Sequence, residues 1–90
     1  MAFYMISYDL RKKDEFDYQK LWDAFKNEDC VKCQESVYLM KGDHPAKVIR
    51  DYFLQFMHKD DLLTVVEFSK KPVHYRGLKG TREWIASHWP

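Results

Sequence analysis

Phe3 to Leu10 reads FYMISYDL, an apolar strand that runs without a break into a single carboxylate, Asp9. A carboxylate buried without a partner costs several kcal/mol, so an acid in such a strand requires a reason. One reason is local: a strand-end carboxylate caps the following turn and faces water. The other is chemical, a site at the end of the strand.

Outward from this strand, the polar stretch Arg11 to Glu15 is followed by Tyr18, Leu21, Trp22 and Phe25 at helical spacing, with Asp17 as a cap or first-turn acid. Cys30 to Lys41 (CVKCQESVYLMK) is rich in strand-favouring residues around a polar Gln34, Glu35, Ser36 centre, which predicts two short strands or one bent strand. Gly42 and Asp43 close that segment. Pro45 then opens a second amphipathic helix that directs Val48, Ile49, Tyr52, Phe53, Phe56 and Met57 to the core. Asp60 and Asp61 end it, and Leu62 to Phe68 (LLTVVEF) is a further strand. The order predicts an α+β ferredoxin-like (βαββαβ) antiparallel sheet with two helices on one face.

Both outer strand sequences are apolar on both sides. Phe3 and Met5 oppose Tyr4, Ile6 and Tyr8, while Leu63 and Val65 oppose Leu62, Val66 and Phe68. A sheet with water on one face alternates apolar with polar, so the second face is expected to be covered, with a second subunit as its natural cover in a sheet-to-sheet homodimer. The core is assigned to residues 1–68. Residues 69–90 form a basic, aromatic segment in which Trp84, Ile85 and Trp89 anchor a short helix on the same or the partner subunit.

Aromatic residues at 17% and apolar residues at 46% exclude a disordered chain, and no apolar run reaches the roughly 20 residues of a membrane span. With no secretory signal, the expected location is the cytoplasm, with no membrane partner. Cys30 and Cys33 form a C-x-x-C, but residues three apart in a strand point to opposite faces, so the pair reads as reduced and structural. The four histidines have no metal-binding spacing. The net charge of +1 conceals an asymmetry: residues 69–90 carry Lys70, Lys71, Arg76, Lys79 and Arg82 against Glu83 alone, and the rest of the chain is net acidic. Such a segment is suited to contact phosphate.

The first strand ending in Tyr8-Asp9, the Gln34-Glu35-Ser36-Val37-Tyr38 segment and the strand from Asp61 to Val66 resemble the small CRISPR-associated adaptation subunit, the second Cas protein, whose wider superfamily includes VapD-type ribonucleases. The resemblance covers roughly residues 3 to 68. It implies a ferredoxin-like homodimer, acting as a divalent-metal-dependent nuclease on RNA or DNA or as the non-catalytic core of a larger protein complex. It also implies catalytic positions at Asp9 and Ser36, with Asp9 of each subunit holding one Mg²⁺ or Mn²⁺. Magnesium takes oxygen ligands and keeps several waters, so one carboxylate per subunit across a two-fold axis is enough to place it.

Three functional readings follow. One is a metal-dependent endonuclease centred on Asp9. Another is a nucleic-acid-binding or assembly adaptor without turnover, with Arg11, Lys12, Lys13, Lys70, Lys71, Arg76 and Arg82 as phosphate contacts. A third is an RNA-targeting toxin of the VapD kind. The RRM aromatic motif is absent.

Overall fold

The computed structural model describes residues 2–90. Its elements are β1 (Ala2–Asp9), α1 (Gln19–Lys26), β2 (Asp29–Gln34), β3 (Val37–Gly42), α2 (Ala46–Leu54), β4 (Leu62–Phe68) and α3 (Thr81–His88). The four strands form one sheet of order β2-β3-β1-β4, every neighbouring pair antiparallel. This small α+β architecture is compatible with a ferredoxin-like type.

Alternation along β1 sorts the two faces. Tyr4, Ile6 and Tyr8 are buried with Leu21, Ala24 and Phe25 of α1 and with Ile49 and Phe53 of α2. Phe25 is central, stacking on Tyr38 of β3 at 3.8 Å between ring centroids and on Phe53 at 4.4 Å. The stripe expected for α2 is narrower and shorter than its sequence suggests: Ile49 and Phe53 are buried, Val48 and Tyr52 lie at its exposed margins, and Met57 is buried beyond the end of the helix. Tyr4 reaches through this layer, and its hydroxyl donates to the His44 carbonyl just ahead of Pro45, which precedes α2.

The stretch around Gln34 to Ser36 resolves into two strands with a bulge. Lys32 pairs with Tyr38 and Gln34 with Val37, leaving Cys33 as the extra residue. No non-glycine residue among those described has positive φ, so the Glu35-Ser36 turn is not of the primed type that matches strand twist, and the adjacent bulge accommodates the difference. Cys30 remains on the α1 side, its thiol donating to the Phe25 carbonyl at 3.1 Å. Cys33 lies on the other face with Leu39 and Ile85. Both cysteines are free, and burial pushes both thiols up, Cys30 to about 12.

The second face carries Phe3 and Met5 of β1, Leu39 of β3, and Val66 and Phe68 of β4. Here the chain itself supplies part of the cover for which the sequence suggested a second subunit. Residues 69–80 run without helix or strand, are pinned by the Leu78 N–H donating to the Cys33 carbonyl at 2.9 Å, and lead into α3. Its N-cap is Gly80, whose φ of 97° is a left-handed conformation that favours glycine. Ile85 is buried against Cys33 and Leu39, while Phe3 packs on Trp89 at 4.0 Å and meets Trp84 edge-on at 6.2 Å. At the far edge Asp29 accepts from Trp84 Nε1 at 3.0 Å and bonds His88 Nε2 at 2.7 Å, tying α3 to the start of β2. The β1/β4 half of the face stays open, with Met5, Leu62 and Val66 exposed.

Candidate nucleic-acid interface

The sequence-designated residues fall into three places. At the end of β1, the Asp9 carboxylate points to the second face, with its side chain 59% exposed, and pairs with the Arg11 guanidinium at 3.2 Å. Lys12 lies 3.9 Å from both Glu15 and Asp60. Ser36 sits in the β2-β3 turn, where its carbonyl accepts from the Tyr8 N–H at 3.0 Å. It shares with Lys13 a cleft of about 350 Å³ beside α1, against Tyr8 and Trp22. Tyr8 and Ser36 line this cleft but Asp9 does not, so the two positions assigned to catalysis are not brought into one pocket.

The donor set at Asp9 does not make a divalent-metal site from one chain. The carboxylate is already neutralised by Arg11, and the described residues contain no group of three His, Cys, Asp or Glu side chains positioned to hold an ion. A magnesium site there requires the second carboxylate from another subunit and the opening of the Asp9–Arg11 pair.

The buried acid is Asp61, which the sequence placed only as the end of a helical segment. It is 8% exposed and accepts from the Arg11 N–H at 2.7 Å, the Tyr18 hydroxyl at 2.8 Å and the His58 N–H at 2.8 Å. Burial alone would raise its pKa, but these donors outweigh that and hold the carboxyl below its ordinary value. Burial, and then the same contact, push the Tyr18 hydroxyl up to about 12. With its hydrogen-bonding capacity used by the loop, α1 and β4 approaches, Asp61 is a structural carboxylate.

The third place is a groove of about 320 Å³ on the second face. Its floor is Met5, Leu39 and Phe68, and one end is formed by Thr81 and Ile85 of α3. Over it lies the irregular segment after β4, bringing Lys70, His74, Tyr75 and Arg76 to the rim. No acidic residue lines it. Lys70 and Arg76 make no ion pair among the described residues, unlike Arg11 and Lys12. Lys71 and Arg82 belong to the same basic segment but do not line the groove.

Sequence reasoning named Lys70 and Arg76 and missed His74, Tyr75 and Thr81. The interleaving of aromatic and basic side chains in His74-Tyr75-Arg76 was the available signal for the first two. Thr81 carries no signal in sequence, because its placement depends on where α3 docks. No helix among the described residues is long and apolar enough to cross a membrane. No family model and no solved structure matches the chain.

Proposed function

We propose that this protein is a nucleic-acid-binding adaptor that holds single strands in the groove of its second sheet face and does not depend on metal-assisted turnover. One observation carries this reading: Lys70 and Arg76 converge, without ion-pair partners, on an apolar groove that no acidic residue lines. An apolar floor beside unpaired cations suits a base and its phosphate together. The Tyr75 ring adds a face on which a base can stack, a contact worth about 1–3 kcal/mol per base in single-strand binders. Duplex recognition is less well served, because a stacked and paired base has no free face to offer such a groove.

The nuclease reading derived from Asp9 and Ser36 stands on weaker geometry, since Asp9 is bound to Arg11 and the two residues open into different surroundings. The two readings separate in one experiment. Labelled single-stranded RNA and DNA are incubated with the protein in Mg²⁺ and in EDTA, with binding and cleavage followed together. The adaptor reading expects binding that persists in EDTA and in Asp9→Ala, falls in Lys70→Ala and Arg76→Ala, and leaves the strands intact. Metal-dependent cleavage lost in a folded Asp9→Ala would overturn it.

A further inference from the structure

Resting on the reading of the groove as a single-strand site, we propose that it is an end-binding pocket, built to take a terminal phosphate monoester of a strand. The groove is a bounded cavity of about 320 Å³, at the small end of the range for small-ligand sites. Its cationic groups do not step along a path as they do in a binding channel. Lys70 and Arg76 come from one short segment and line a single groove bounded at one end by α3. That arrangement holds one terminal nucleotide.

The closed end supplies the second observation. Thr81 is 2% exposed, and its hydroxyl has no hydrogen-bond partner among the described residues. The side chain is turned toward Gly77, where a Cβ would fall 2.6 Å from Oγ1, and both residues line the groove. Thr81 is also the first residue of α3, where Gly80 offers no side-chain cap and the Thr81 N–H is taken by the Leu78 carbonyl at 3.1 Å. The next N–H groups of the first turn have no intrahelical partner, and Glu83 in that turn offsets the positive end of the helix. The unpartnered Thr81 hydroxyl at one end of a groove that no acidic residue lines, with Lys70 and Arg76 at its rim, places donors on more than one side of it.

A phosphate monoester fits this set better than an internal diester. Near neutral pH it carries about −1.5 to −2 charges and three strong acceptor oxygens, whereas a diester carries one charge. Lys71, Lys79 and Arg82 lie outside the groove.

The source of the monoester, a 5′ or a 3′ end, is distinguished by the test. One oligonucleotide sequence is prepared with a 5′-phosphate, with a 3′-phosphate and with hydroxyls at both ends, and binding is measured by fluorescence anisotropy with an internal label. The expected result is that one phosphorylated form binds about tenfold more tightly than the unphosphorylated strand, as charge-assisted hydrogen bonds to one phosphate allow. Thr81→Val retains the size and branching of the buried side chain, and is expected to reduce that preference, which Thr81→Ser retains. Equal affinity for all three strands overturns the end-binding proposal. If Lys70→Ala and Arg76→Ala still weaken all three, the groove remains a nucleic-acid site. If no strand binds at all, both readings fall.

Discussion

The Arg11 guanidinium lies 3.2 Å from the Asp9 carboxylate at the exposed end of β1, while the Arg11 backbone N–H donates to Asp61 at 2.7 Å. One residue therefore serves two acids, and the contacts differ in consequence. The first is an exposed ion pair, of the kind that contributes about 0–1 kcal/mol. The second belongs to a buried network, where loss of an acceptor leaves donors without partners.

Asp9→Ala is accordingly expected to change stability by no more than about 0.5 kcal/mol, as for other exposed positions. Millimolar Mg²⁺ is expected to leave the thermal midpoint of the wild type unchanged. A ligand that binds the native state raises the midpoint, so a Mg²⁺-dependent rise that vanishes in Asp9→Ala would instead identify a metal site there.

Asp61→Ala removes the shared acceptor of Arg11, Tyr18 and His58. The expected cost is about 3 kcal/mol or more, since each orphaned buried donor costs about 1–3 kcal/mol. Tyr18→Phe removes one donor and keeps the ring against Phe16 and Trp22, so about 1 kcal/mol is expected. Urea unfolding of the two variants checks both the size and the order of these effects.

The same carboxylates set the response to acid. Asp61 and Asp29 both titrate below their ordinary value; at Asp29, burial alone would raise the pKa, but hydrogen bonds from His88 and Trp84 outweigh it. A lowered folded pKa contributes stability that is present above the unfolded value of about 3.9 and is lost as pH falls through the folded value. Unfolding free energy from denaturant titrations should therefore hold between neutrality and about pH 5 with respect to these groups, then decline. Asp29→Asn should flatten the decline, with a smaller loss at neutral pH than Asp61→Asn, because Asp29 is the more exposed of the two.

Gly77→Ala tests the docking of α3. The added Cβ would meet Thr81 at 2.6 Å from Oγ1 and 2.8 Å from Cβ, and because Cβ itself is in the clash no rotation of the buried side chain relieves it. A loss of about 1–3 kcal/mol is expected, as for other overpacked sites. A shift in the emission of Trp84 and Trp89 should accompany it as α3 is displaced from Phe3.

Much of the fold was legible because its signals are local and periodic. Alternation in FYMISYDL separated Tyr4, Ile6 and Tyr8 from Phe3 and Met5, and the helical spacing of Leu21 and Phe25 marked α1. The opposite-face argument for Cys30 and Cys33 agrees with their separate surroundings. Asp61 was not legible, because its partners at Arg11, Tyr18 and His58 are assembled by tertiary structure, and no spacing in the chain reports that. The site was half legible: the basic bias of the last 22 residues pointed to Lys70 and Arg76. The groove above the sheet forms only because Leu78 is pinned to Cys33 and α3 folds back over that face.

The most direct measurement of the central claim is the salt dependence of single-strand binding for the wild type and for the Lys70→Ala/Arg76→Ala double variant. Each phosphate contact to a single strand contributes about −0.7 to the slope of log affinity against log salt concentration. Two contacts made by Lys70 and Arg76 predict weaker binding with a slope shallower by about 1.4 in the double variant. An unchanged slope and affinity would contradict the account and place the nucleic-acid contacts, if any, away from the groove.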